Sequence, residues 1–186
     1  MSVYGINKQS IISERSYFKY PNMYGLSKIN CEKLIKNYTI KNENFYSTSI
    51  RLPGVVGDNS HGNFISNITE KIINGEDIEV YNKKSYFNNI VHVHEIIKFA
   101  KIWMKNIKRP YSFFNVASSH PITLNKVAQI IKNEVNSSSN IRSSYTGKKP
   151  FIIKIDLAKK LSFNIQTTES SLKKYLSGKK KIKRLK

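Results

Sequence analysis

Apolar residues recur along the chain at two spacings, and the spacings divide it into elements. Tyr24, Cys31, Leu34, Ile35 and Tyr38 keep three- and four-residue steps. That period predicts a helix running to about Tyr38, with Pro21 in its first turn and these residues on its inner face. Phe64, Ile68, Ile72 and Ile73 predict a second helix, closed by Gly75. Ile96, Ala100, Trp103, Met104 and Ile107 step by i, i+4, i+7, i+8, i+11 and predict a third, with Trp103 and Met104 in its core face. Leu124, Val127, Ala128, Ile131 and Val135 predict a fourth, for which Thr123 is the N-cap. A last short helix is expected near Asp156.

Between these segments the pattern changes to β-branched and aromatic runs. Residues 46–52, 89–93 and 111–116 read as strands, the first ending at Pro53-Gly54. Ser2-Val3-Tyr4-Gly5 reads as the end of a strand, residues 6–20 as a polar loop and residues 136–140 as a surface loop. Strands alternating with helices predict an α/β fold with a largely parallel sheet.

Composition narrows the class. With 186 residues, 39% of them hydrophobic and 24% charged, a packed core is within reach and wholesale disorder is excluded. No run approaches the roughly 18 apolar residues of a membrane span, and residues 1–19 hold no signal-peptide core. Cys31 is the single cysteine, so an intrachain disulfide and a cysteine-rich zinc site are ruled out, and a reducing, cytoplasmic setting is expected. In that setting Cys31 reads as a small buried hydrophobe rather than a nucleophile. His92 and His94, two apart in a predicted strand, would face one side, but no third ligand stands at a supporting spacing and no metal site is assigned.

The formal charge of +20 suggests an anionic partner. Yet the 32 basic residues are 27 lysines and five arginines, and arginine is the residue suited to bidentate phosphate and base recognition. Eight of the positive charges fall in the last fourteen residues. Residues 176–186 are therefore read as a basic, solvated tail that would attract nucleic acid only non-specifically.

The chemistry-bearing pattern is Tyr24-Gly25-Leu26-Ser27-Lys28, which puts a phenol and an ammonium one helical turn apart on one face. A phenol is a poor acid–base group at neutral pH, and a neighbouring cation favours its anion, so the pair can move a proton to or from a hydroxyl or carbonyl. Glu32, four residues on, would pair with Lys28 or Lys36 and is given no function. Four further blocks accompany the pair in order: Ser2-Val3-Tyr4-Gly5, Ile50-Arg51-Leu52-Pro53-Gly54-Val55-Val56-Gly57, Ile90-Val91-His92-Val93, and residues 156–163.

The ordered set resembles the extended short-chain dehydrogenase/reductases, specifically the NAD-dependent epimerase/dehydratases that act on nucleotide sugars. The resemblance implies the C-terminal part of a Rossmann-type parallel sheet with a small mixed substrate lobe, and it leads to the expectation that the first βαβαβ half is absent from this chain. Residues 1–60 and 89–118 would form the back half of the NAD(P)-binding domain, and residues 61–88 and 119–175 the substrate lobe. By the same resemblance Tyr24 matches the catalytic acid–base group, and Lys28 the lysine that holds the nicotinamide ribose and tunes the tyrosine. Leu52, Pro53, Gly54 and Val55 match the turn beside the nicotinamide ring of NAD or NADP. Asn63, Phe64 and Asn88 match positions that approach the nucleotide sugar. The implied reaction is hydride transfer at a sugar carbon, in surface polysaccharide or related biosynthesis.

The chain departs from the family pattern at three points. The usual catalytic Ser/Thr would fall before Met1, Ser2 coming two residues too late. No glycines form G-x-G-x-x-G. Asn88 stands where many members have a diphosphate-binding arginine. Two other readings stay open: a non-catalytic remnant or partner subunit, and a basic nucleic-acid-binding protein. No membrane partner is expected, and the expected protein partner is a second copy or a missing N-terminal half.

Overall fold

A computed structural model describes residues 2–6, 9–146 and 151–184. In chain order, a single 3-10 turn at Ser2–Tyr4 leads to β1 (Ile11–Ile12), α1 (Met23–Lys41), β2 (Ser47–Arg51) and β3 (Gly54–Val56). Then come α2 (Phe64–Ile73), β4 (Ile78–Tyr81), β5 (Tyr86–Phe87), β6 (Ile90–His92) and α3 (Val93–Lys105). They are followed by β7 (Tyr111–Asn115), β8 (Ile122–Thr123), α4 (Leu124–Glu134), β9 (Ile141–Ser144), β10 (Ile152–Ile153), α5 (Asp156–Lys159) and α6 (Thr168–Arg184).

The pairing is mainly parallel. β2 runs beside β7, with Ser47 opposite Tyr111 and Arg51 opposite Asn115. β3 pairs with β6, β4 with β9 and β1 with β10, all parallel, and only β5–β8 is antiparallel among the described strands. Parallel neighbours need crossovers, which the intervening helices supply. β6 is buried at every residue and sends Ile90 and Val91 into different apolar clusters. Ile90 joins Ile65, Ile68 and Ile72 of α2, Val127 and Ile131 of α4, and Leu172 and Leu176 of α6. Val91 joins Phe99 of α3, Phe114 of β7, and Ile155, Ala158 and Phe163 around α5. The rings of Phe114 and Phe163 meet that of Phe99 edge-on at 5.1 and 5.2 Å, the geometry that aromatic quadrupoles favour.

Helix starts follow local chemistry. Thr123 caps α4 through Oγ1, which accepts from Lys126 N at 3.2 Å. Gly75, at φ +77°, takes the left-handed conformation just past α2, as its position in the sequence predicts. Pro21, by contrast, stays outside its helix: Asn22 is the N-cap of α1, its side chain accepting from Gly25 N at 2.8 Å.

Several expectations are corrected. Residues 2–4 coil instead of ending a strand, because Gly5 N donates back to Ser2 O. The 6–20 loop contains β1, whose Ile12 is fully buried. The core face of α3 is centred on Phe99, while Met104 is 58% exposed, so the third helix is rotated from its predicted orientation. Cys31 is exposed. The expected solvated tail is the second half of α6: Leu176 is fully buried, and the helix runs to Arg184. The final part of that tail, residues 185–186, lies outside the described residues.

Candidate active site

α1 buries only Gly25, Ile29 and Thr39. Gly25 allows the helix to press on the N-terminal turn, since a Cβ there would run into the Ser2 carbonyl. The neighbouring stripe, Tyr24, Lys28, Cys31, Glu32 and Ile35, forms one wall of an open cleft of about 630 Å³. Of the five residues that the periodicity put on an inner face, Tyr24, Cys31 and Ile35 look into this cleft rather than into the core, while Leu34 and Tyr38 are exposed and lie outside it. Lys28 Nζ lies 5.0 Å from the centre of the Tyr24 ring, one helical turn away. The other wall is the end of β2 and the following turn: Ser49, Ile50, Arg51, Leu52, Pro53 and Val55. Ser2 also lines this cleft, although its position in the sequence argued against it.

Gly54 lies on the other side of that turn. With Asn63, Phe64, Tyr81, Phe87, Asn89 and Phe151 it lines a second cleft of about 470 Å³, whose described lining carries no charged side chain. The 52–55 turn is thus a shared wall between the two spaces. Asn63 begins α2 with a reciprocal capping box: its Oδ1 accepts from Ser66 N at 3.0 Å, and its own N donates to Ser66 Oγ at 3.0 Å. Its Nδ2 donates to Val55 O at 3.2 Å.

Asn88 is placed differently from the expectation that it approaches a substrate. It is 2% exposed and lines neither cleft. Its Nδ2 donates to the carbonyls of Ser118 and Ile153, and its Oδ1 accepts from Ile153 N at 2.9 Å. Ile90 N donates back to Asn88 O at 2.7 Å, a tight turn that accompanies the divergence of adjacent side chains. Asn89 takes the cleft position, and its Oδ1 is sealed from solvent without a hydrogen-bond partner.

Behind the first cleft lies a polar network that the sequence reading missed. Arg51 donates Nε to Glu32 Oε1 at 2.9 Å and Nη2 to Glu32 Oε2 at 2.7 Å, with side-chain exposures of only 7% and 16%. Its Nη1 donates to Tyr4 Oη at 3.0 Å, and Tyr4 donates to Asn115 Oδ1 at 2.8 Å. Burial pushes the Tyr4 phenol above its ordinary range, against the pull of Arg51. Burial likewise raises the Glu14 carboxyl, although Oε1 accepts from Asn115 N. The scarcity of arginine was the available signal: an isolated arginine at a strand end, in a chain that otherwise uses lysine, marks a place needing a rigid fork.

The two histidines are a cap and its neighbour. His92, 3% exposed, ends β6 and accepts through Nδ1 from His94 N at 3.3 Å, while His94 lies in α3 and is exposed. Among the described residues no three His, Cys, Asp or Glu side chains cluster to hold a metal, and no helix is long and apolar enough to cross a membrane.

A family model described as the NAD dependent epimerase/dehydratase family matches residues 1–117. A curated relative, the N-acetyl-alpha-D-glucosaminyl-diphospho-ditrans,octacis-undecaprenol 4-epimerase of Escherichia coli, is 25% identical over 137 residues, which cover 73% of this chain and 40% of the relative. A UDP-N-acetylglucosamine 4-epimerase from Methanobrevibacter ruminantium, solved with UDP-N-acetylmuramic acid, superposes with TM-score 0.78 at 21% identity, covering 98% of this chain and 61% of that one. A dTDP-glucose 4,6-dehydratase from Bacillus anthracis, solved with NAD, gives TM-score 0.76 at 15% identity, covering 98% and 60%. The chain thus spans about three fifths of the length of these solved proteins and less of the curated relative.

Proposed function

The chain belongs to the NAD-dependent epimerase/dehydratase family, and from that premise we propose that its first cleft is the acid–base side of a hydride-transfer site for nucleotide sugars. The observation that carries this reading is the Tyr24–Lys28 pair on the cleft wall facing the 52–55 turn. The residues present fit the nicotinamide-ribose end of a dinucleotide: an ammonium able to bind ribose hydroxyls, a phenol beside it and an apolar turn opposite. They do not offer a pyrophosphate cradle, because no glycine lines the cleft among the described residues. When bound, NAD or NADP would supply the two-electron acceptor for a hydride leaving a sugar carbon.

In this reading Tyr24 takes the proton of the sugar hydroxyl through its phenolic oxygen and returns it on the reverse step. Lys28 holds the ribose and keeps positive charge beside the phenol. Leu52, Pro53 and Val55 exclude water from the ring face. Asn63 and Phe64 meet the nucleotide sugar in the second cleft, across the shared turn, with Asn89 in the place expected of Asn88. A cytoplasmic role in polysaccharide biosynthesis is consistent with this substrate class.

The test is saturation-transfer NMR with nicotinamide mononucleotide and with AMP, the two halves of NAD. The chain should saturate the nicotinamide protons, Lys28→Ala should weaken binding at least about tenfold, and AMP should show no comparable transfer. Preference for AMP, or no transfer to nicotinamide mononucleotide, would overturn the assignment of the first cleft.

A further inference from the structure

α1 carries both Tyr24 and Lys28, yet it is attached to the rest of the molecule by little apolar packing. Of its nineteen residues, Ile29 is the only buried one with a large aliphatic side chain. Packing of that kind resists separation but does little to fix rotation about the helix axis. The rotation is held by polar ties. Near the C-terminal end, Thr39 Oγ1 and Ser47 Oγ share a hydrogen bond of 2.6 Å. In the middle, Glu32 receives both arms of the Arg51 fork.

The position of that fork is specific. Glu32 lies one turn beyond Lys28 and two beyond Tyr24, on the same face. Arg51 is the last residue of β2, directly before the 52–55 turn. Its guanidinium is held in turn by Tyr4 Oη and lies 5.4, 5.0 and 4.9 Å from the ring centres of Tyr4, Phe18 and Phe113. A planar donor enclosed by three rings and bonded along two edges has one orientation, and a bidentate pair transmits that orientation to its partner. Lysine, a single rotating point charge, cannot do so.

We propose that Arg51 is a positioning residue, whose grip on Glu32 sets where Tyr24 and Lys28 stand relative to the 52–55 turn. The significance of that placement rests on the acid–base reading above. Arg51 itself reacts with nothing; it joins the helix that carries the proton-transfer pair to the strand that leads into the opposite wall of the cleft.

Cys31 supplies a reporter. It is the single cysteine of the chain, exposed, next to Glu32 and on the cleft wall. Its rate of reaction with Ellman's reagent should shift at least about threefold in Arg51→Lys, well below the unfolding temperature. In hydrogen exchange the 23–41 peptide should lose protection while α4 and α6 keep theirs. Binding of nicotinamide mononucleotide should weaken about tenfold. Should Arg51→Lys fail to fold, Glu32→Gln removes the charge with the shape retained and should move the same readouts. A cysteine rate and 23–41 protection both within twofold of wild type, or protection lost equally in all helices, would overturn the proposal. The first two readouts need no ligand, so a wild-type chain that binds no nicotinamide mononucleotide would defeat the acid–base reading while still deciding the role of Arg51.

Discussion

Asn63 and Val55 are joined by a single hydrogen bond, from the Asn63 amide nitrogen to the Val55 carbonyl at 3.2 Å, while the oxygen of the same amide caps α2. One side chain thereby couples the start of a helix to the turn that separates the two clefts. The turn is a proline–glycine corner that runs into β3, where Gly54 and Val55 pair with Ile90 and Val91 of β6, and Gly54 N also reaches Asn89 O at 3.3 Å.

Replacing Asn63 should therefore have two separable effects. Loss of a cap costs about 1 kcal/mol, and loss of an internal hydrogen bond a similar amount. Asn63→Ala should lower stability by roughly 2 kcal/mol in urea unfolding. Asn63→Asp keeps the acceptor for Ser66 and lacks the donor to Val55, so it should fall between alanine and wild type. An aspartate variant as stable as wild type would show that the tie to Val55 contributes nothing.

His92 makes stability depend on pH. It caps α3 as an acceptor, so its Nδ1 must be unprotonated. Burial, then Lys174 and His94, hold its pKa below the ordinary 6.5. The unfolded chain then binds the proton more tightly than the folded one. This contribution is complete above about pH 6.5 and is lost as pH falls from there towards the lowered folded value. Glu14 acts with the opposite sign. Its carboxyl is raised, chiefly by burial, so its contribution is present at low pH and lost as pH rises through the folded value. In Glu14→Gln, where of these two groups only the histidine is left to titrate, urea midpoints should fall as pH drops below about 6.5, and adding His92→Asn should flatten that slope. Glu14→Gln should gain on wild type near pH 7 and converge with it below about pH 4. An unchanged slope when His92→Asn is added would remove the histidine from the account.

Asn88 and Asn89 should respond in opposite ways. Arginine at position 88 would put a guanidinium where an amide makes three internal bonds, and a buried unpaired charge costs roughly 3 kcal/mol or more. Asn88→Arg should therefore unfold or severely destabilise the chain instead of improving anion binding. Asn89→Ala removes an unsatisfied buried oxygen and should leave stability within about 0.5 kcal/mol of wild type, or slightly higher. Circular dichroism during thermal unfolding distinguishes the two, and a well-folded Asn88→Arg with normal stability would contradict the internal placement.

These contrasts show where the sequence was legible. The strands at 46–52, 89–93 and 111–116 and the first four helices stood out because period and capping chemistry are local. Ile78-Glu79-Val80-Tyr81 alternates buried and exposed, a period-two pattern only four residues long, whereas two-residue strands such as β1 fall below any periodicity. For α1 the face was visible but its surroundings were not, because a stripe of Tyr, Cys and Ile has the same spacing whether it meets a core or a cleft. Leu176 was obscured by the lysines that follow it, so the end of the core half of α6 looked like the start of a tail. The fork between Arg51 and Glu32 joins residues nineteen positions apart, and ionic partners carry no mark of each other in a linear chain. Of the candidate site, the Tyr24–Lys28 pair on one helix face was legible from spacing, whereas the part given to the 52–55 turn came from the family resemblance; the orientation of Asn88 could not be read, because a tight turn just before a strand decides which of two adjacent amides points inward.

The Tyr4 hydroxyl completes its bond only with Asn115, 111 residues further along. At about 5–20 residues per second, synthesis leaves that partner unmade for roughly 5–20 s after Tyr4 is joined. Through that interval the turn at residues 2–4 has neither its hydrogen-bond acceptor nor the strand that presents it, while α2 and β3 already have neighbours close in sequence. The turn can meet Lys19, and Gly25 of α1, early, but its tie to β7 forms only when that long loop closes, and the closure should slow the last step of assembly. A nascent chain stalled before Asn115 would leave the Tyr4 hydroxyl without that acceptor and Ile12 without its β10 neighbour.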